Sequence, residues 1–291
     1  MGEAWREWVS PSYAAGAFSG VLNAGLFNWW DKALYESMKN LRPFLSPENF
    51  RDPWHGFQAA VAGRFLSYGL FFPVFESFDR LYQGTFVGAW PELRRLAASQ
   101  STGALLALPL APISSIKYRM WGSELGYLGT AKLMYRQAGI SPFFHAIAPT
   151  LWRDCLWASV FQYLRHHSIV WAQRFDRPVR AGVEFTAVTA AGGVATALSS
   201  PLNYARNVVF KTPADRRAPN TWRCVYDLFR EARGHPGAAR FLAHQLNVGW
   251  GTARVAVGMA VSSKVYESTK AALAATPVLK HTGGLRRPAE R

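Results

Sequence analysis

The sequence predicts an all-α membrane protein: six transmembrane helices in three tandem two-helix repeats, with short helices in the linkers. Three observations carry this. Stretches without Asp, Glu, Lys or Arg run from Trp8 to Trp30, Leu96 to Ile116 and Phe185 to Ala205, and hold 23, 21 and 21 residues. A helix needs roughly 20 residues to cross a bilayer core. The charges just ahead of these runs, Glu7, Arg95 and Glu184, stand 88 and 89 residues apart. Finally, a polar stretch after each run leads to an apolar segment holding one interior arginine: His55–Leu81 with Arg64, Phe143–Trp171 with Arg153, and Ala239–Ala272 with Arg254. A fixed long period marks copies of one unit. The chain therefore divides into repeat one (8–82), repeat two (91–172), repeat three (183–273) and a C-terminal tail (276–291) within a single membrane domain.

The two kinds of segment have different physical roles. The charge-free runs suit a lipid environment. An arginine at the centre of a span is costly in hydrocarbon, so Arg64, Arg153 and Arg254 are expected to face the interior of the bundle. Cavity-lining helices need apolar residues only on their outer faces. This accounts for a mean hydropathy of only −0.04 in a chain with 12 Trp and 14% aromatics. A soluble helical repeat is the competing reading, and three charge-free runs of 21 residues or more argue against it.

The linkers set the expected topology. The connections leaving the charge-free runs (31–53, 117–142, 206–240) carry 16 Lys and Arg, and those leaving the arginine-bearing segments (76–95, 165–184) carry 7. The positive-inside rule places the first set on the inner face and both termini on the other. No signal-peptide pattern precedes the first run, which is expected to be retained. Short linker helices are expected near 46–52, 129–138 and 219–233. The net charge of +15 is spread over loops and accompanies no nucleic-acid-binding motif, so nucleic acid is not an expected partner.

Residues at the helix ends resemble the mitochondrial carrier family over nearly the whole chain. Repeat two has Pro112-Ile113-Ser114-Ser115-Ile116-Lys117, and repeat three has Pro201-Leu202-Asn203-Tyr204-Ala205-Arg206. Both are similar to the Pro-x-Asp/Glu-x-x-Lys/Arg motif that ends that family's odd helices. In repeat one the proline is replaced, Asp31 stands at the acid position and Leu34 at the cation position. Trp54-His55-Gly56 looks like the start of the family's even helices. Tyr266-Glu267-Ser268-Thr269-Lys270 matches the motif that ends them, while Phe75-Glu76 and Tyr163 keep only parts of it.

The resemblance implies a mitochondrial inner-membrane protein with both termini on the intermembrane-space side. It implies proline-kinked odd helices, an acid–cation ring on the matrix face, and a central site open alternately to either side. Residue by residue, the implied substrate contacts are Gly63 or Arg64, with the count from Gly56 and back from Glu76 favouring Gly63 by one residue, then Arg153 with Asp154, then Arg254. The implied gate positions are Asp31, Pro112, Ser114, Lys117, Pro201, Asn203 and Arg206 on one face, and Glu76, Glu267 and Lys270 on the other. Trp54, His55 and Gly56 are implied to bind the phosphates of cardiolipin. Ser114, Asn203 and Leu34 depart from the motif, so the gate keeps its cations and loses acids. That departure points to weakened or lost transport and a structural role in an inner-membrane complex of the respiratory or ATP synthase type. The alternative is a working exchanger of a small anionic or amino-acid-like metabolite.

Other chemistry is not expected. The seven His show no metal spacing, and no nucleotide-binding, nucleophile-elbow or zinc-finger pattern is present. Cys155 has no activating His nearby in sequence, and no spacing rule pairs Cys224. The expectation is therefore no enzyme activity, no metal and no cofactor.

Overall fold

The charge-free runs and the arginine-bearing segments become long helices in the computed structural model, which describes residues 11–85, 90–121 and 123–275. The start of the first run (8–10), the side chain of Glu76 and the tail 276–291 lie outside the described residues. Among the described residues the chain is helical and has no strand. Repeat one contains α1 (Pro11–Lys39) and α2 (Phe57–Gln83). Repeat two contains α3 (Pro91–Met120), α4 (Tyr127–Ala138) and α5 (Ile147–Ala172). Repeat three contains α6 (Arg177–Lys211), α7 (Thr221–Gly234), α8 (Ala238–Gln245) and α9 (Trp250–Ala275).

Local chemistry sets the boundaries. α3 and α6 begin with proline in the first turn, where the missing N–H has no helical partner to lose. Gly56 precedes α2 at φ +83°, and a Cβ there would stand 2.5 Å from Trp121 Nε1. Conformation and space both require glycine at that corner. Asn220 caps α7 by accepting from the backbone N–H of Trp222 (2.9 Å) and Arg223 (3.2 Å). Pro109 and Pro112 lie inside α3 and Pro201 inside α6, and each removes a rung of the helical hydrogen-bond ladder.

Two expectations about elements need correction. The segment Ala239–Ala272 is not one helix. It breaks between α8 and α9, where Asn247 (φ +53°) and Gly249 (φ +105°) turn the chain in the left-handed region. The linker helix expected at 46–52 is only a 3-10 turn, Pro47–Phe50. Among the described residues two helices are long and apolar enough, by length and composition, to cross a membrane: Pro91–Met120 and Gly182–Lys211. Tyr13, Ser19, Asn23 and Asn28 lower the average of α1, which carries the other charge-free run.

The six long helices pack in chain order as α1, α2, α3, α5, α6 and α9, and α9 returns to α1. The result is a closed ring in which α1, α3 and α6 alternate with α2, α5 and α9. Small residues bring neighbours close. Gly192 on α6 faces Met259 of α9 and Phe161 of α5, and Gly69 on α2 faces Tyr13 of α1. Polar seams tie the ring further. Ser19 and Asn23 of α1 donate to Ser262 of α9 (2.9 and 2.7 Å), and Gln100 of α3 donates to Cys155 O and Ser159 Oγ of α5 (2.9 and 3.1 Å).

Candidate functional site

Each of the six long helices contributes charge to one cluster inside the ring. Asp31 comes from α1, Arg64 from α2, Lys117 from α3, Arg153 and Asp154 from α5, Arg206 from α6 and Arg254 from α9. Arg254 is its best-buried member, at 6% exposure. Its Nη2 donates to Asp31 Oδ2 at 2.7 Å, while its Nε sits 2.5 Å from Oδ1 without donating to it. The guanidinium also donates to Asn23 Oδ1 (3.3 Å) and lies 4.9 Å above the Phe27 ring. Gly258 makes room for it, since a Cβ there would stand 2.8 Å from Arg254 Nη1. Arg64 Nη2 reaches the same carboxylate at 3.6 Å. Arg153 donates to its neighbour Asp154 through both Nε and Nη2.

The gate expected from the resemblance is rearranged. Asp31 does not serve the odd-helix cation of the next repeat at contact distance. It is clamped by Arg254 and Arg64, which come from the two ring neighbours of α1. Lys117 and Arg206 instead rest on aromatic faces. Lys117 Nζ lies 4.7 Å from the Tyr118 ring centre and 4.8 Å from that of Trp121. Arg206 Nη2 donates to Tyr118 Oη at 3.1 Å, with its guanidinium carbon 5.4 Å from the same ring. Of the two candidates for the first contact, Arg64 enters the cluster. Gly63 faces α3 instead, where a Cβ would meet Ile113 at 3.5 Å. Pro112, Ser114, Pro201 and Asn203 are half-buried.

Below the cluster, the ring closes in a way the motifs did not reveal. The residues one position after the motif, Tyr35, Tyr118 and Asn207, form one tier. The residues three further on, Met38, Trp121 and Phe210, form a second. Tyr35, Met38, Trp121 and Phe210 are buried to 4% exposure or less, and Asn207 to 5%. Tyr118 stacks on Phe210 (4.3 Å, 14°) and contacts Tyr35 (5.2 Å) and Trp121 (5.0 Å). Asn207 Nδ2 donates to Met38 Sδ (3.4 Å), and Lys211 Nζ donates to Met38 O (3.0 Å). These contacts join α1, α3 and α6, which are not neighbours around the ring. They therefore cross its interior and plug this end.

Among the described residues the opposite end has no such bridge. Asp79 pairs with Arg94 (2.9 Å) and Glu92 with His166 (2.9 Å), both between ring neighbours. Glu267 makes no ion pair with a described residue, and Lys270 lies over the ring of Tyr266 on its own helix (5.7 Å). Tyr163 is 66% exposed.

Trp54, His55 and Gly56 line a separate groove of about 520 Å³ at the corner of α2, α3 and α4, together with Gln58, Met120 and Tyr127. The corner is held firmly. His55 Nε2 bonds Met120 O (2.9 Å), Trp121 Nε1 donates to His55 O (2.9 Å), and Lys32 Nζ donates to the carbonyls of Arg51 and Asp52 (2.8 and 2.7 Å). The helix starts of α2 and α4 meet here, and neither has a side-chain cap. Among the described residues no cluster of His, Cys, Asp or Glu is arranged to hold a metal ion. Burial first, and then Asp227, push the Cys224 thiol up from its ordinary value, which leaves it a weak nucleophile.

No protein-family model matches the chain, and no curated protein matches it.

Proposed function

We propose that this chain is a carrier-like protein of the mitochondrial inner membrane with six spans. In this reading transport is reduced or lost, and the protein serves as an accessory subunit of a respiratory-type complex. The observation that carries the reading is the plug. A carrier that alternates needs an end closed by contacts that are cheap to break, and exposed ion pairs are worth only about 0–1 kcal/mol each. Here the two tiers of Tyr35, Tyr118, Asn207, Met38, Trp121 and Phe210 close the same end by buried ring and side-chain packing. Truncating one such aromatic in a core costs about 3–5 kcal/mol. The one acid at the gate, Asp31, is committed to Arg254 and Arg64.

The membrane setting is supported by what the ring shows outward. Leu105, Leu108 and Leu198 are 49%, 54% and 56% exposed on α3 and α6, the two helices among the described residues whose length and composition suit a membrane span. An apolar belt of that kind suits lipid or a partner subunit. The excess of Lys and Arg in the linkers puts the plugged end on the matrix side and both termini in the intermembrane space. The groove at Trp54, His55 and Gly56 is the place for cardiolipin phosphates, because uncapped helix starts attract anions. Neither an enzymatic reaction nor a cofactor enters this reading.

The test is native purification in mild detergent. Comigration with a respiratory complex or ATP synthase supports the accessory role, and migration only as an isolated species overturns it. One observation favours the alternative of a working exchanger: Arg64 and Arg254 meet on Asp31, and α5 adds the Arg153–Asp154 pair, in a ring whose other end has no cross-ring ion pair among the described residues. Under that alternative, proteoliposomes exchange a small carboxylate or amino acid and lose the exchange in Arg153→Ala and Arg254→Ala.

A further inference from the structure

The outward face of α7 does not look like the solvent side of an amphipathic helix. Cys224, Leu228 and Ala232 form its buried side, and the helix packs on α6 and α8. The opposite side of such a helix is expected to be polar. Here it carries Trp222, Tyr226 and Phe229, 56%, 64% and 39% exposed, at the i, i+4, i+7 spacing of one stripe. Arg233 continues the stripe one turn on and is exposed. Trp222 also meets Trp152 of α5, with ring centres 5.7 Å apart, and Trp152 is exposed as well. Four exposed aromatic rings therefore gather on two elements. α7 follows Lys211, which anchors the plug, so this face lies at the plugged end.

The charges decide what covers it. An anionic lipid interface favours an apolar face edged by cations alone. α4, the linker helix of repeat two, has that composition: Leu128, Leu133 and Tyr135 are exposed beside Lys132 and Arg136, and the helix holds no Asp or Glu. α7 differs. Asp227 stands beside the stripe between Arg223 (3.8 Å) and Arg230 (3.1 Å), and Glu231 is exposed next to Arg230. Anionic headgroups repel these carboxylates, whereas charges of both signs fix the register of a protein partner. α7 also has three Arg and no Lys, and Trp, Tyr and Arg are the anchors of protein interfaces. Arg233 makes no ion pair with a described residue, and the linker 206–240 holds eight Lys and Arg against three Asp and Glu. The complementary partner is acidic.

We propose that the outward face of α7 is a protein-docking surface whose occupant is an acidic amphipathic segment of a partner subunit. Its apolar row covers Trp222, Tyr226 and Phe229, and its Asp or Glu residues meet Arg233 and the neighbouring arginines. This names the contact surface for the accessory role proposed above and rests on that reading.

The experiment follows labelling of Tyr226→Cys by a water-soluble maleimide in the full-length chain, with the unsubstituted chain as baseline. In opened native membranes the site should label at least about tenfold more slowly than in the purified chain, as expected when roughly 90% of the face is covered. In vesicles of the purified chain the rate should be the same with phosphatidylcholine alone and with added cardiolipin. Arg233→Glu should restore fast labelling in the native membrane and release the chain from its complex on a native gel. The thermal midpoint of that variant should stay unchanged, because Arg233 is exposed. A photo-crosslink from position 226 should reach an Asp- or Glu-rich segment of another subunit. Protection by cardiolipin vesicles alone, a crosslink to a second copy of this chain, or protection that survives Arg233→Glu overturns the proposal. Fast labelling in a chain that still comigrates with a complex overturns this surface and leaves the accessory reading standing. Migration of the unsubstituted chain as an isolated species overturns the accessory reading itself.

Discussion

Replacing Asp31 with Asn removes the one carboxylate that holds two arginines. Arg254 is 6% exposed and makes contacts of 2.5 and 2.7 Å with Asp31; among the described residues its other hydrogen-bond acceptor is Asn23 Oδ1, at 3.3 Å. Water cannot replace the lost charge at that depth. Removing one partner of a buried pair costs about 3–5 kcal/mol. The asparagine oxygen still accepts one bond and the Phe27 face still attracts the cation, so the lower end, about 3 kcal/mol, applies here. At roughly 2–4 °C per kcal/mol for chains of this size, the midpoint should fall by about 6–12 °C. Intrinsic fluorescence of the 12 Trp in detergent reads it. Arg254→Gln and the double variant complete a cycle, and the coupling should reach at least about 2 kcal/mol, as expected of contacting charges. Additive losses, or a neutral Asp31→Asn, would refute the clamp that ties α1 to α9.

The other expected outcomes concern space, packing and caps. Gly258→Ala pushes a methyl to 2.8 Å from Arg254 Nη1 and 3.4 Å from Asn23 Nδ2, and should cost about 1–3 kcal/mol by overpacking, read as a lower midpoint. Trp121→Ala should cost about 3–5 kcal/mol and, by loosening the plug, admit a small water-soluble thiol reagent to a cysteine placed at Ser115. Asn220→Ala leaves the Trp222 and Arg223 N–H groups uncapped, costs about 1 kcal/mol, and should speed amide exchange in the first turn of α7. Cys224, buried and with its thiol raised, should react with maleimide at pH 7 far more slowly in the folded protein than in denaturant.

The repeat period and the central arginines were legible in the sequence because charge is costly in an apolar span and so is sparsely placed. Arg64 and Arg254 share the carboxylate of Asp31, while Arg153 pairs with its neighbour Asp154. The partner of Asp31 was not legible. Motif spacing fixes a position along one helix, whereas the choice between Lys117 and Arg254 depends on how far apart the helices lie. The plug left a signal that went unread. Tyr35, Tyr118 and Asn207 fall at one repeat position, and Met38, Trp121 and Phe210 at another. Apolar residues at helix ends look like ordinary packing until three of them are seen to cross a ring. The break before α9 was marked by Asn247 and Gly249, two residues that tolerate positive φ, inside a run otherwise apolar enough to pass as continuous. The choice between Gly63 and Arg64 turned on one residue of helical phase, which only coordinates resolve.

The account stands most directly on whether the plugged ring passes solute. Purified protein in cardiolipin-containing proteoliposomes, screened for exchange of amino acids, carboxylates and nucleotides, should show no uptake above protein-free vesicles. Robust exchange by the intact chain that vanishes in Arg153→Ala and Arg254→Ala would contradict it.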